Sequence, residues 1–357
     1  MSLFPAISGK DSVPWLRSRF RPSFPERDSR HEADSPITSW ASSYDDPSAM
    51  AQAWSQGQWE LCHLGNGRFA GRLQSVLTAS LRLGLHSFAP GVFSRGRLDP
   101  DLVFLAVEAS GRARVNYRGR LLAENEVMAL APGEELGFHV QEPCQLFTVA
   151  VSRTCLEHHV RGFGEGAALD RLSFVAEAGV DRLALSAPAS RVSVCGELGR
   201  ILRSGCEAPA DHRSESHARL LEQRVLTALT SDVAVGCAQH EPTLSDKCQA
   251  VRRAEAYLLE HLDWPVTVRE ICEAAGVCVR TLELGFLEVF GMSPKAYITV
   301  LRLNGIRRDM LKAEPGALVS DYAAKWGFFH FSRFAADYRR FFGESPSETL
   351  ARIAVAS

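Results

Sequence analysis

Apolar positions between residues 58 and 153 recur in short alternating runs. Val103, Leu105 and Val107 alternate with their neighbours, and so do Val115 and Tyr117. A period of two is the pattern of a strand whose two faces differ. Gly65, Gly67, Gly71 and Gly84, with Ser110-Gly111 and Arg118-Gly119, are expected to turn the chain between such strands. The run CQLFTVAVSRTCL, 144–156, closes the series with one more alternating segment. Many short strands at this spacing predict a small barrel or sandwich, of cupin-like form.

From 189 to 235 the period lengthens to that of a helix. Val194, Leu198, Ile201 and Leu202 fall on one helical face; Leu220, Leu221, Val225, Leu226 and Leu229 fall on another. The polar stretch SGCEAPADHRSES separates them, which predicts two helices folded back on each other. Such faces need cover, either from the β-rich part or from a second subunit. Residues 237–245 have turn residues and no period, so a domain boundary is expected there. Residues 1–35 are rich in proline and arginine and poor in apolar side chains, and they read as a disordered arm. The functional alternative is a basic arm on DNA phosphate. The expected layout is the arm at 1–35, a β-rich domain at 36–188, two helices and a linker at 189–240, and an all-α domain at 245–352.

The last part holds a repeated pattern. Val251, Ala254, Tyr257, Leu258 and Leu262 line one face of a helix that Trp264-Pro265 should end. Thr267 with Glu270 three residues on is a capping-box signature. Val268, Ile271, Cys272 and Ala275 then mark a short helix, Gly276 a tight turn, and Leu282, Phe286 and Val289 a second helix stopped by Gly291. About 50 residues later the pattern returns, with Ser320 as the expected cap, Tyr322, Ala323 and Trp326 on the first face, and Gly327 at the turn. Phe334, Tyr338 and Phe341 line its second helix and Gly343 stops it. Both copies are trailed by G-x-S-P, at 291–294 and 343–346. Helix, glycine turn, helix is the helix-turn-helix unit. The segment 294–311 predicts one connecting helix of just under about 30 Å, near the ~34 Å between successive major grooves on one DNA face. A plain helical bundle without a DNA role is the alternative; one such unit would leave it open, and two matching copies weigh against it.

Composition changes little. The 357 residues are 46% hydrophobic and 23% charged with net charge −2, so no bulk electrostatic argument favours nucleic acid. Residues 242–357 hold 15 Lys and Arg against 14 Asp and Glu, a net of +1, where a DNA module is usually more basic. The nine cysteines are scattered and odd in number, which argues for reduced thiols in a cytosolic protein over a disulfide framework. No apolar run approaches the ~18 residues of a membrane span, and no apolar stretch follows the basic N-terminus as a secretory signal requires.

In EAAGVCVRTL, FGMSPKAYI, LRLNGIRRDML and WGFFHFSRFAADYRRFFGESPSETL, and in their order, the segment 245–352 resembles the DNA-binding domain of the AraC/XylS family of transcription regulators. The resemblance implies an α+β two-domain chain: an effector-sensing β domain with dimerisation helices, then two helix-turn-helix units joined by a long helix. It also implies two recognition helices, at about 278–289 and 330–341. Arg280, Thr281, Glu283 and Leu284 would face the groove from the first; His330, Phe331, Ser332, Arg333, Ala335 and Ala336 from the second, with Arg339 on the backbone side. Arginine reads guanine, glutamate accepts from cytosine N4, and apolar side chains meet the thymine methyl. Gly276 and Gly327 are the two turns. The sequence departs from the family pattern at Glu283-Leu284-Gly285, where a polar or basic pair is common, and Gly285 and Gly305 each cost a helix about 1 kcal/mol.

A cupin-like β domain also suggests a metal enzyme with a tethered DNA head. Metal binding would need His and carboxylate side chains converging from neighbouring strands; His63, His86 and His139 are isolated, no HxH occurs, and they read as satisfied histidines. Gly65-Asn66-Gly67 lacks the GK[ST] ending of a phosphate loop, and Pro143-Cys144 is followed by Gln145 rather than the histidine of an alkyl-accepting site. No catalytic residue, metal or cofactor is therefore expected. The implied partners are promoter DNA, a small-molecule effector, RNA polymerase and a second copy of the chain.

Overall fold

The computed structural model describes residues 35–356 except 55–56, 89–90, 112, 118–119, 163–181, 186–187, 208–213, 231–245, 263–265 and 315. The arm expected at 1–35, apart from Ser35, the boundary at 237–245, the Arg118-Gly119 turn and Trp264-Pro265 lie outside these residues.

The first half is built from strands β1 (Thr38–Tyr44), β2 (Gly57–His63), β3 (Gly71–Leu77), β4 (Leu81–Phe88), β5 (Val92–Leu98), β6 (Leu102–Glu108), β7 (Val115–Tyr117), β8 (Arg120–Leu121), β9 (Glu126–Leu130), β10 (Glu135–Val140), β11 (Cys144–Ser152) and β12 (Arg182–Ala184). Helices α1 (Pro47–Trp54) and α2 (Arg153–Gly162) interrupt them. The strands form two antiparallel sheets, one ordered β1-β3-β4-β11-β6-β9-β12 and one ordered β2-β5-β10-β7-β8. Among the described residues they pair as an open sandwich, not as the closed barrel that cupin-like form implies.

Strand β6 shows why the large sheet is so apolar. Val103, Leu105 and Val107 point to one core and Phe104 and Ala106 to another, so both of its faces are buried. The first core lies under α3 (Pro188–Glu207) and α4 (Glu215–Thr230), where Leu198, Ile201, Val225 and Leu226 cover the sheet. The two helices are antiparallel neighbours, as their faces predicted, and Arg224 bridges them to Glu197 at 2.7 Å. Helix α3 runs on through Ser204–Glu207, the start of the polar stretch read as linker. Val192 (66% exposed) and Leu220 (53%) stay uncovered on these helices.

Two of the six glycines assigned to turns sit inside strands. Gly71 is in β3 and Gly84 in β4. A Cβ at Gly71 would collide with Met50 and one at Gly84 with Trp54, so both are small because α1 lies directly on the sheet. Gly67 (φ 95°) and Gly111 (φ 68°) do turn the chain.

The second half is helical: α5 (Asp246–Glu260), α6 (Val268–Ala275), α7 (Val279–Phe290), α8 (Pro294–Met310), α9 (Val319–Lys325), α10 (Phe331–Phe342) and α11 (Pro346–Ala356). Gly285 and Gly305 offset their helix cost by close packing. A Cβ on Gly285 would press on Val251 of α5, and one on Gly305 would enter the Trp326 ring. The layers stack in the order α3/α4, large sheet, small sheet, helical domain.

Candidate nucleic-acid interface

The two helix pairs, α6–α7 and α9–α10, are set by local chemistry. Thr267 caps α6 as its spacing predicts: its hydroxyl accepts from Glu270 N–H at 3.3 Å, and the Glu270 carboxylate accepts from Thr267 N–H at 2.7 Å. Those bonds hold the Glu270 carboxyl below its ordinary range. Gly276 (φ 67°) and Gly327 (φ 79°) make the turns in the left-handed region that only glycine enters cheaply. The second pair starts differently. Leu318, not Ser320, stands at the N-cap of α9, and no side chain caps it. Ser320 lies inside the helix with its hydroxyl on Asp321 at 3.3 Å.

The G-x-S-P trailers are stop-and-restart signals. Gly291 and Gly343 end α7 and α10 at φ 69° and 70°. Ser293 and Ser345 then accept from the N–H three residues on, at 3.3 and 3.2 Å, and a proline opens the next helix. Helix α8, 17 residues or about 25 Å long, joins the pairs.

Packing divides each second helix cleanly. In α7, Leu282, Phe286, Val289 and Phe290 are buried, while Arg280, Glu283 and Leu284 face solvent. Thr281 is half-buried, with its hydroxyl 3.3 Å from the Cys278 sulfur. In α10, Phe334, Tyr338, Phe341 and Phe342 are buried. Phe331, Ser332, Arg333, Ala335, Ala336 and Arg339 are exposed on it, and His330 is exposed at its N-cap. Asp337 draws two guanidiniums to the flank of α10, Arg333 at 3.8 Å and Arg340 at 2.9 Å. Leu287, 58% exposed, also lies on the solvent stripe of α7, and its spacing of seven from Arg280 is the sequence signal for that position.

The carboxyl ends of both second helices rest on the small sheet. Nδ1 of His139 on β10 donates to the carbonyl of Val289 at 2.7 Å, and Phe93 of β5 meets the Phe290 ring edge-on at 5.8 Å. The Gly67 N–H donates to the carbonyl of Arg340 at 3.3 Å, and the His63 ring lies 5.2 Å from that of Phe341. Between them, Asn304 of α8 exchanges two hydrogen bonds with the His63 backbone, at 2.8 and 3.2 Å.

Charge completes this seam. Glu60 accepts from Arg95 at 2.6 Å and from Arg308 at 2.5 Å. Burial pushes the Glu60 carboxyl up, but the two guanidiniums outweigh it and hold it at about 2. Arg307, 6% exposed, donates to Glu344 at 2.5 Å and Asp46 at 3.3 Å, and its guanidinium lies 4.8 Å over the Phe342 ring. Arg352 adds bonds to Glu344 at 2.8 Å and Asp45 at 2.9 Å. Burial holds the His139 imidazole down at about 4, against the pull of the Val289 carbonyl. Arg95 and Arg307 face inward and do not serve an outer surface.

A cavity of about 40 Å³ lies between the sheets, lined by Met50, Trp54, Trp59, His86, Phe104 and Phe138 among others. His86 is not the satisfied histidine that the sequence suggests: Nε2 is buried without a hydrogen-bond partner, as is Nε1 of Trp59. Burial, helped by Arg82, pushes His86 down to about 3, so it is neutral. Among the described residues no three His, Cys, Asp or Glu side chains lie where one metal ion would bind them all. None of the helices among the described residues is long and apolar enough to cross a membrane.

Residues 271–352 match the family described as "Helix-turn-helix domain". A probable thc operon regulatory protein of Rhodococcus erythropolis is 35% identical over 137 residues, 38% of this chain and 40% of that protein. A XylDLEGF operon transcriptional activator 1 of Pseudomonas putida is 26% identical over 298 residues, 80% of this chain and 85% of that one. Among solved structures, a probable AraC family transcriptional regulator from Rhodopseudomonas palustris is 33% identical, covering 29% of this chain and 96% of that one at a TM-score of 0.28. The match to the first relative spans less than half of either protein. With the capped, glycine-turned helix pairs of 268–342, the family match makes 271–352 a helix-turn-helix domain, and the chain is similar to transcriptional regulators of the AraC/XylS type.

Proposed function

We propose that the chain is a cytoplasmic, sequence-specific transcription factor, acting as a dimer and switched by a small molecule. The observation that carries the DNA reading is the doubled helix pair, each with an uncovered second helix, joined by one rigid helix of about 25 Å. Arg280, Glu283 and Leu284 on α7 and Phe331, Ser332, Ala335 and Ala336 on α10 are the base-facing side chains of this reading. His330, Arg333 and Arg339 face phosphate, and Thr281 acts through the start of α7. Activation next to RNA polymerase is the direction suggested by the relatives, whose names speak of operon activation. The uncovered Val192 and Leu220 on α3 and α4 support pairing of two copies through these helices.

The test is footprinting of the full chain on duplexes recovered by selection from a random library. Each subunit should protect two segments about one helical turn apart on one face, and a dimer should give two such pairs. A single pair removes the dimer; uniform protection without preferred sequence removes the reading as a specific regulator.

The effector is placed in the cavity between the sheets. Its walls are aromatic and aliphatic, no cationic side chain lines it among the described residues, and the N–H of Trp59, one of the lining residues, is buried without an acceptor. That combination suits a small uncharged molecule with a hydrogen-bond acceptor. In a thermal-shift screen of small carbon and nitrogen compounds, a binder at 100 times its Kd should add about 2.7 kcal/mol of stability. The gain should shrink in Trp59→Phe, which keeps the ring system apolar and removes the donor. Binders that stabilise both proteins equally would place the site elsewhere. A metal enzyme with a tethered DNA head is the second reading; stoichiometric metal with turnover in the purified protein would favour it.

A further inference from the structure

The solvent stripe of α7 is built from Arg280, Glu283, Leu284 and Leu287, spaced three and four apart. Its polar capacity is one guanidinium and one carboxylate. Leu284 is 42% exposed and Leu287 58%. Neither is drawn into the core, although Leu282, Phe286 and Val289 of the same helix are buried. A surface helix normally puts polar side chains on that face. The stripe of α10 repeats the composition, with Phe331 (47% exposed), Ala335 and Ala336 beside Ser332 and Arg339. Asp337 holds Arg333 and Arg340 to the flank of that stripe, and Lys247 draws Glu288 toward α5 at 3.7 Å.

A leucine or alanine has neither donor nor acceptor. On the major-groove edge of a base pair, the one feature that complements it is the C5 methyl of thymine. We infer that both second helices select thymine-rich steps by methyl contact, with Leu284 and Leu287 as the specificity-determining pair and Arg280 reading a guanine at the amino end of α7. The inference rests on the DNA reading above and adds the sequence class that the protein selects. Short side chains at Ala335 and Ala336 let the backbone of α10 approach the bases, and Phe331 offers a flat apolar surface at its start. Burial of one methyl-sized group is worth about 0.8 kcal/mol, so each contacted methyl is expected to change affinity about fourfold.

The experiment uses the full chain and the selected duplexes. Synthesis with deoxyuridine in place of thymine removes the methyl and leaves every hydrogen-bonding edge in place. Loss of two methyls under α7 should weaken binding roughly tenfold or more, in steps of about fourfold. The variant with Leu284→Ala and Leu287→Ala should melt like the parent, because both side chains are exposed, and should bind the thymine and deoxyuridine duplexes within about twofold of each other. Equal affinity of the parent for the two duplexes overturns the inference. So does a leucine variant that keeps the full thymine preference, the result expected if the stripe seats a protein instead. Failure to recover any preferred sequence overturns the DNA reading itself, and a preferred sequence indifferent to the methyl overturns only this inference.

Discussion

Replacement of Arg307 by alanine should lower the unfolding free energy by about 3–5 kcal/mol, the cost of breaking a buried ion pair from one side. Arg307 stands on α8 and is 6% exposed, with Asp46 from the first half of the chain on one side and Glu344 on the other. Burial works against its charge, and Tyr338, Glu344 and Asp46 more than restore it. Without the guanidinium, Glu344 keeps only Arg352 as a cation, and Asp46 is left with no charged partner among the described residues. The ring of Phe342 also loses its cation–π partner. Chemical denaturation of the full chain measures the loss. Arg352→Ala is the comparison: that side chain is 43% exposed, so its removal should cost no more than about 1 kcal/mol. Equal, small losses in the two variants would mean that the seam between the halves contributes little to stability.

Charge reversal at Arg280 should reduce specific DNA binding by roughly two orders of magnitude. A bidentate arginine–guanine pair is worth about 1–3 kcal/mol of discrimination, and a glutamate there adds repulsion from neighbouring phosphates. Arg280 is exposed in the first turn of α7, and no ion pair engages it among the described residues, so thermal melting should not change. Arg339 makes the useful contrast. Placed on the backbone side of α10, its neutralisation should weaken all duplexes alike and lower the salt slope by about one. Footprints that survive in Arg280→Glu would show that α7 is seated in the groove on another register.

The helix pairs were legible because their signals are local. A capping box, a left-handed glycine and a G-x-S-P restart each act within a few residues, and the apolar period closes over one helix. The departures arise where the deciding partner is distant in the chain. Gly71 and Gly84 carry the same turn propensity as Gly67, yet Met50 and Trp54 decide their role by lying across the sheet. His63 and His139 read as isolated histidines because their neighbours, Phe341 and Val289, lie 278 and 150 residues away. Strand order is hidden for the same reason: β4 pairs with β11 across more than 50 residues. The cap of α9 failed differently, since Leu318 occupies the position with no side-chain bond at all and Ser320 is spent on Asp321. Leu287 needed only one more turn of the helical count.

The seam on the small sheet bears on how such chains can be rebuilt. Cys62, Leu64 and Phe93 belong to the first half by sequence but to the helical core by packing. A helical end cut free at the boundary near residue 240 would bare Phe290 and Phe341 and strand Arg307 and Arg308 away from Asp46 and Glu60. Grafting this helical end onto another sensor is therefore not a matter of linker choice. The transplant must carry the outward faces of β2, β5 and β10 with it, and in inheritance those strands and the helices they hold are expected to change together.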